Sequence, residues 1–64
     1  DRAIIRDEWI RRTIDQPVRV TVQADGRVRL WAEIAEAGGR VLRVVLLPDR
    51  LTVHNAFFDR SYKS

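Results

Sequence analysis

The one histidine of this chain, His54, lies in "LPDRLTVHNAFFDRSYK" (47–63) with Asn55, two Phe, Asp59, Arg60, Tyr62 and Lys63. Imidazole titrates near neutral pH, so His54 is a candidate general acid or base. The competing reading is a polar residue on the open face of a sheet, since no carboxylate stands beside it in sequence. Arg43 interrupts the apolar run "VLRVVLL" (41–47). A charge among apolar residues must be paired or reach an open surface. It could clamp a phosphate, or lie across the sheet with its stem covering apolar area. Depending on strand register, it would face Asn55 or approach His54. Arg60 and Lys63 could hold phosphates and Tyr62 could stack on a base. A frayed polar tail is the alternative, although Phe57 and Phe58 just before it would anchor such a tail by packing.

Trp31, Arg29 and Arg27 alternate along "GRVRLW" and would share one strand face. A basic–aromatic row of this kind suits single-stranded RNA. It equally suits a protein partner, because Trp and Arg are enriched in binding hot spots, or simple cross-strand packing. For Trp31 the last two readings rank ahead of RNA. Other chemistries find no support. "AGGR" (37–40) joins two strands and is a turn, not a phosphate loop opening a helix. There is no Ser/His/Asp arrangement and no carboxylate cluster, so no metal and no cofactor is expected. A deep small-molecule pocket is not expected in a layer this small.

The elements that must position these residues follow from periodicity. "DEWIRRTID" (7–15) reads as a short helix capped by Asp7, with Glu8 complementing the dipole. Ile10 and Ile14 share a face with Trp9 and Thr13, while Arg11 and Arg12 point largely away. Pro17 ends the helix through its restriction on Gln16. "VRVTVQ" (18–23) alternates and predicts a half-buried strand with Val18, Val20 and Val22 on one side. "ADGR" (24–27) is a hairpin turn. "VRLWAEIAE" (28–36) alternates again, with Val28, Leu30, Ala32 and Ile34 inward. "VLRVVLL" is apolar on both faces and fits a central strand; "PDR" (48–50) is the third turn, and "LTVHNAFF" (51–58) is the fourth strand. Short turns force antiparallel neighbours. The predicted fold class is α+β: a short N-terminal helix on a four-stranded antiparallel meander.

Size and composition bound the rest. The chain has 64 residues, one domain (1–64), and a core of this size supplies only about 3–5 kcal/mol. It has no cysteine, which rules out disulfides and is compatible with a cytoplasmic location. It has no methionine either, so Asp1 is not expected to be a native start and a native N-terminal segment is expected to be missing. No stretch reaches the roughly 20 apolar residues of a membrane span, and no membrane partner is expected. The net charge of +3 is a weak nucleic-acid signal, and the preference for Arg over Lys is read as base composition and a solvated surface.

The succession "DEWIRRTIDQP", "DGRVRLWAEIAEAGGRVLRVVLL" and "TVHNAFFDRSYK" resembles small bacterial domains of uncharacterised function related to the RelE/ParE/BrnT toxins, within the barnase–EndoU–colicin–RelE superfold. The shared features are a short helix ending near a proline, a "DGR" hairpin, a "GRxLRVV" strand and a final strand ending "AFF-DR", covering most of residues 7–63. The resemblance implies a preceding segment often bearing "H…ER". It implies a metal-free ribonuclease of a toxin–antitoxin pair, with RNA or the ribosome and an antitoxin protein as partners. Cleavage in such toxins uses the RNA's own 2′-OH as nucleophile. Carried over, Arg43 would stabilise phosphate charge, His54 would move a proton, Arg60 would hold phosphate and Tyr62 would stack. The chain departs from the toxins in its modest charge and in placing its histidine within a strand. The second expectation is therefore a non-catalytic domain that binds a protein or forms a homo-oligomer.

Overall fold

A computed structural model describes residues 5–62. The helix α1 (Asp7–Asp15) is followed by strands β1 (Arg19–Val22), β2 (Val28–Ile34), β3 (Arg40–Leu46) and β4 (Val53–Phe58). The strands form one antiparallel sheet in the order β1-β2-β3-β4, and α1 lies across β2 and β3. This is the expected α+β meander. No helix among the described residues is long and apolar enough to cross a membrane.

The helix spans the expected residues, but its cap lies one residue earlier, at Arg6. Arg6 is extended and its carbonyl accepts the N–H groups of Trp9 and Ile10 at 3.0 and 3.3 Å, so Asp7 is the first helical residue and makes no side-chain cap. Its charge, with that of Glu8, still faces the positive end of the dipole. Trp9 and Thr13, one turn apart, are buried, and Ile5, Ile10 and Ile14 pack beside them. The Thr13 hydroxyl is fully buried and donates to the Trp9 carbonyl at 2.9 Å, which satisfies it. Gln16, forced out of helical geometry by Pro17, closes the helix at φ −136° and ψ 61°.

Beneath the helix, Val28, Leu30 and Ile34 of β2 meet Leu42, Val44 and Leu46 of β3, with Ala56 and Phe58 of β4 at the margin. Ile34, Leu42 and Val44 are completely buried. The β1 valines differ from the expectation. Val18, Val20 and Val22 do lie opposite Arg19 and Thr21, but they are 63, 50 and 57% exposed. The helix lies over β2 and β3, so among the described residues the helix side of β1 is left largely uncovered. The first hairpin turns at Gly26, whose φ of +91° only glycine adopts cheaply, and a side chain there would also press on Pro48. β2 stops at Ile34, not at residue 36. Ala35–Ala37 form a single 3₁₀ turn, and Gly38 and Gly39 complete it with positive φ. β4 begins at Val53, because the Asp49 carboxylate accepts hydrogen bonds from the Leu51 and Thr52 backbones and the Thr52 hydroxyl and holds those residues in the turn.

Arg12 does not point into empty solvent. Its guanidinium reaches Glu36 in the 3₁₀ turn through two hydrogen bonds of 2.7 and 2.6 Å, tying α1 to the β2–β3 connection.

Candidate functional site

The face of the sheet opposite the helix is built by register. β1 pairs Arg19 with Trp31, β2 pairs Trp31 with Arg43, and β3 pairs Arg43 with Phe57. One row of side chains, Arg19–Trp31–Arg43–Phe57, therefore crosses all four strands, alternating cation and ring. The guanidinium carbons of Arg19 and Arg43 lie 5.6 and 5.7 Å from the Trp31 ring, and Arg43 lies 5.1 Å from Phe57. These are cation–π distances, and such contacts contribute about 0.5–1 kcal/mol each at partly exposed positions. The next row is Thr21–Arg29–Val45–Asn55. With the Gln23 amide turned to match its neighbours, its oxygen accepts from Arg29 Nε at 2.6 Å.

The residues after β4 fold back over this face. The Trp31 indole N–H donates to Asp59 Oδ2 at 3.0 Å, and the Tyr62 ring lies 6.0 Å from Trp31 at 33°. Trp31 is only 7% exposed as a result. Asp59 also accepts from the Ser61 hydroxyl and backbone N–H at 2.6 and 2.9 Å. The Ser61 hydroxyl, then the indole N–H, with the charge of Arg43 adding to them, hold the Asp59 carboxyl below its ordinary value. A carboxylate so engaged is a poor proton acceptor. An open depression of about 390 Å³ lies between β1, β2 and this tail, with Arg19, Thr21, Arg29 and Tyr62 on its walls. Two buried polar atoms on the face, Thr21 Oγ1 and Arg43 Nε, have no hydrogen-bond partner among the described residues.

The expected site residues separate into two groups. Arg43, Arg29, Trp31 and Tyr62 come together on this face. Arg43 faces Phe57, two pairs along from Asn55 on the same side of the sheet, so neither register expected for it occurs. His54 stands apart. The pairing steps from Leu46↔Val53 to Val45↔Asn55, which leaves His54 as the extra residue of a bulge, exposed and opposite no β3 residue. Its neighbours by alternation, Ala56 and Phe58, turn toward the core, away from Arg43. Arg60 is exposed in the turn after β4. Arg27 sits in the first hairpin, 3.4 Å from Asp25. Lys63 lies outside the described residues.

Arg29 and Trp31 share this face as expected, but Arg27 lies in the hairpin before β2 and Trp31 is a covered ring rather than an open stacking surface. Cross-strand packing, one of the readings open to Trp31, is what it does here.

Sequence reasoning gave no site role to Arg19, Thr21 or Asp59, and gave Phe57 only a packing one. Arg19 was not within reach: a two-residue Asp25-Gly26 turn would set it opposite Ala32, and only the three-residue loop 24–26, closed by the Gln23 N–H on the Arg27 carbonyl, sets it opposite Trp31. The hold of Asp59 on an indole 28 residues away has no local signature. No protein-family model, curated protein or solved structure matches this chain.

Proposed function

We propose that this chain binds RNA on the face of the sheet opposite the helix, as a metal-free relative of the RelE/ParE/BrnT toxins acting in the cytoplasm. The observation that carries the reading is the convergence of three arginines, one from each of β1, β2 and β3, on a single face. The guanidiniums of Arg19 and Arg43 both lie at cation–π distance from one indole, and their N–H edges suit anions. Arg19 and Arg29 line the open depression beside Tyr62, where a phosphate oxygen can reach guanidinium N–H donors. Tyr62 at the rim is placed to stack on an unpaired base. The cleavage implied by the resemblance would draw on Arg43 for phosphate charge and on Tyr62, not on His54, which stands outside this group. An antitoxin protein is the partner this reading adds.

The test is fluorescence anisotropy with a labelled single-stranded RNA over a series of salt concentrations, with the RNA run on a gel afterwards in the presence of a chelator. Binding is expected to weaken with salt. Arg19→Ala and Arg43→Ala should each lower the log–log slope by about 0.7, one phosphate contact on a single strand. His54→Ala should leave both binding and the gel pattern unchanged. Absence of binding at low salt, or binding indifferent to both arginine variants, would refute the proposal.

A further inference from the structure

The two edges of the sheet are built differently. β4 carries a bulge at His54 that breaks the regular spacing of its edge, a device that discourages pairing with another strand. β1 carries no bulge between Arg19 and Val22. The Gln23 N–H donates to the Arg27 carbonyl at 2.7 Å. By alternation the backbone groups of Arg19 and Thr21 also point into the sheet, and those of Val20 and Val22 point out of its edge. The outward N–H and carbonyl groups therefore belong to two valines whose side chains are themselves 50 and 57% exposed.

We propose that β1 pairs antiparallel with β1 of a second copy of this chain about a two-fold axis at Thr21. The sequence makes the second copy the fitting occupant. Centred on Thr21, "VRVTVQA" (18–24) has the same pattern of apolar and polar residues in both directions. Pairing there sets Val20 against Val22 of the other copy, twice, and joins their outward backbone groups in hydrogen bonds. It sets Thr21 against Thr21 as a pair without backbone bonds between them, the closer type, where Thr hydroxyls bond across strands. Thr21 Oγ1 has no hydrogen-bond partner among the described residues. Arg19 falls opposite Gln23. The two Arg19 residues stand about 14 Å apart, at roughly 3.4 Å per residue. That exceeds the screening length of about 8 Å in physiological salt. The product is one eight-stranded sheet with both helices on one side and both arginine rows on the other.

Sedimentation and light scattering over a range of concentrations test the association, and cysteine crosslinking tests the register. The chain has no cysteine of its own, so a disulfide is unambiguous. Under mild oxidation Thr21→Cys should crosslink readily. Val18→Cys, at a more exposed position whose copies lie about 20 Å apart in the dimer, should not. Random collision predicts the opposite order. Val20→Lys should raise the dimer dissociation constant about tenfold or more, and adding Val22→Glu should reverse the loss, since the two introduced charges face each other across the axis. Both positions are exposed, so neither change threatens the fold, and circular dichroism verifies this. A chain that stays monomeric up to its solubility limit overturns the proposal, as does a dimer in which Val18→Cys crosslinks better than Thr21→Cys.

Discussion

At the residue scale the clearest electrostatic feature is the Arg12–Glu36 pair. The Arg12 guanidinium, hydrogen-bonded to both carboxylate oxygens, lowers the Glu36 pKa from 4.5 to about 2. A folded value below the unfolded one means that the unfolded chain binds the proton more tightly. The stabilisation is therefore present in full above about pH 4.5 and is lost as the pH falls toward about 2. Asp49 and Asp59 shift in the same direction, so the wild-type melting temperature should fall through acid for several reasons. Glu36→Gln isolates one of them. Its melting temperature should lie below wild type at pH 7, and the two curves should converge near pH 2; parallel curves would remove the pair from the account. Both side chains are substantially exposed, so added salt should narrow the gap at pH 7. The pair joins residues 24 apart in sequence, and helix periodicity alone directed Arg12 to solvent.

At the scale of elements, stability is concentrated where the helix covers β2 and β3. Leu42 has no exposed surface, and Leu42→Ala should cost about 2–5 kcal/mol. That is comparable with everything a core of this size provides, about 3–5 kcal/mol, so the variant should be largely unfolded at room temperature. Ile34→Val, a smaller loss at an equally buried position, should cost about 0.5–1.5 kcal/mol and keep the chain folded for measurement. Val18→Ala, at a valine 63% exposed, should stay within about 0.5 kcal/mol of wild type. Urea denaturation orders the three. If Val18→Ala proved as costly as Leu42→Ala, β1 would be covered by something, and the uneven reach of the helix would be wrong. The helix, the central β3 and the alternation of β2 were legible because each has a repeat that matches a burial pattern. The exposure of the β1 valines was not legible. Alternation says which side chains share a face; the reach of the covering layer says whether that face is buried.

Across the whole molecule, the centre of the sheet is covered on both sides, by different means. Trp9 belongs to the core beneath the helix, and Trp31 is covered on the other face by Asp59 and Tyr62; each is 7% exposed. Asp59→Asn removes the charge that holds the tail through the indole and Ser61. Acrylamide should then quench one of the two indoles strongly and leave the other protected. Equal quenching of both would mean general loosening, and no change would mean that Tyr62 holds without Asp59. The same closure explains why the basic row was only partly legible. The arginines could be seen in sequence, but the covering of Trp31 depends on a chain end folding back over strands far from it in sequence.

The sequence by itself determined the helix, the strands, their antiparallel order and which residues of each strand share a side. These follow from local periodicity and turn chemistry, which act over a few residues. Tertiary structure alone decided that Arg19, Arg29 and Arg43 meet on one face without His54, that Asp59 seals Trp31, and that β1 is an edge left bare by the described residues. Each of these depends on a register offset, a bulge or the reach of a packed layer. A shift of one residue turns a side chain to the opposite face, so no local pattern fixes them.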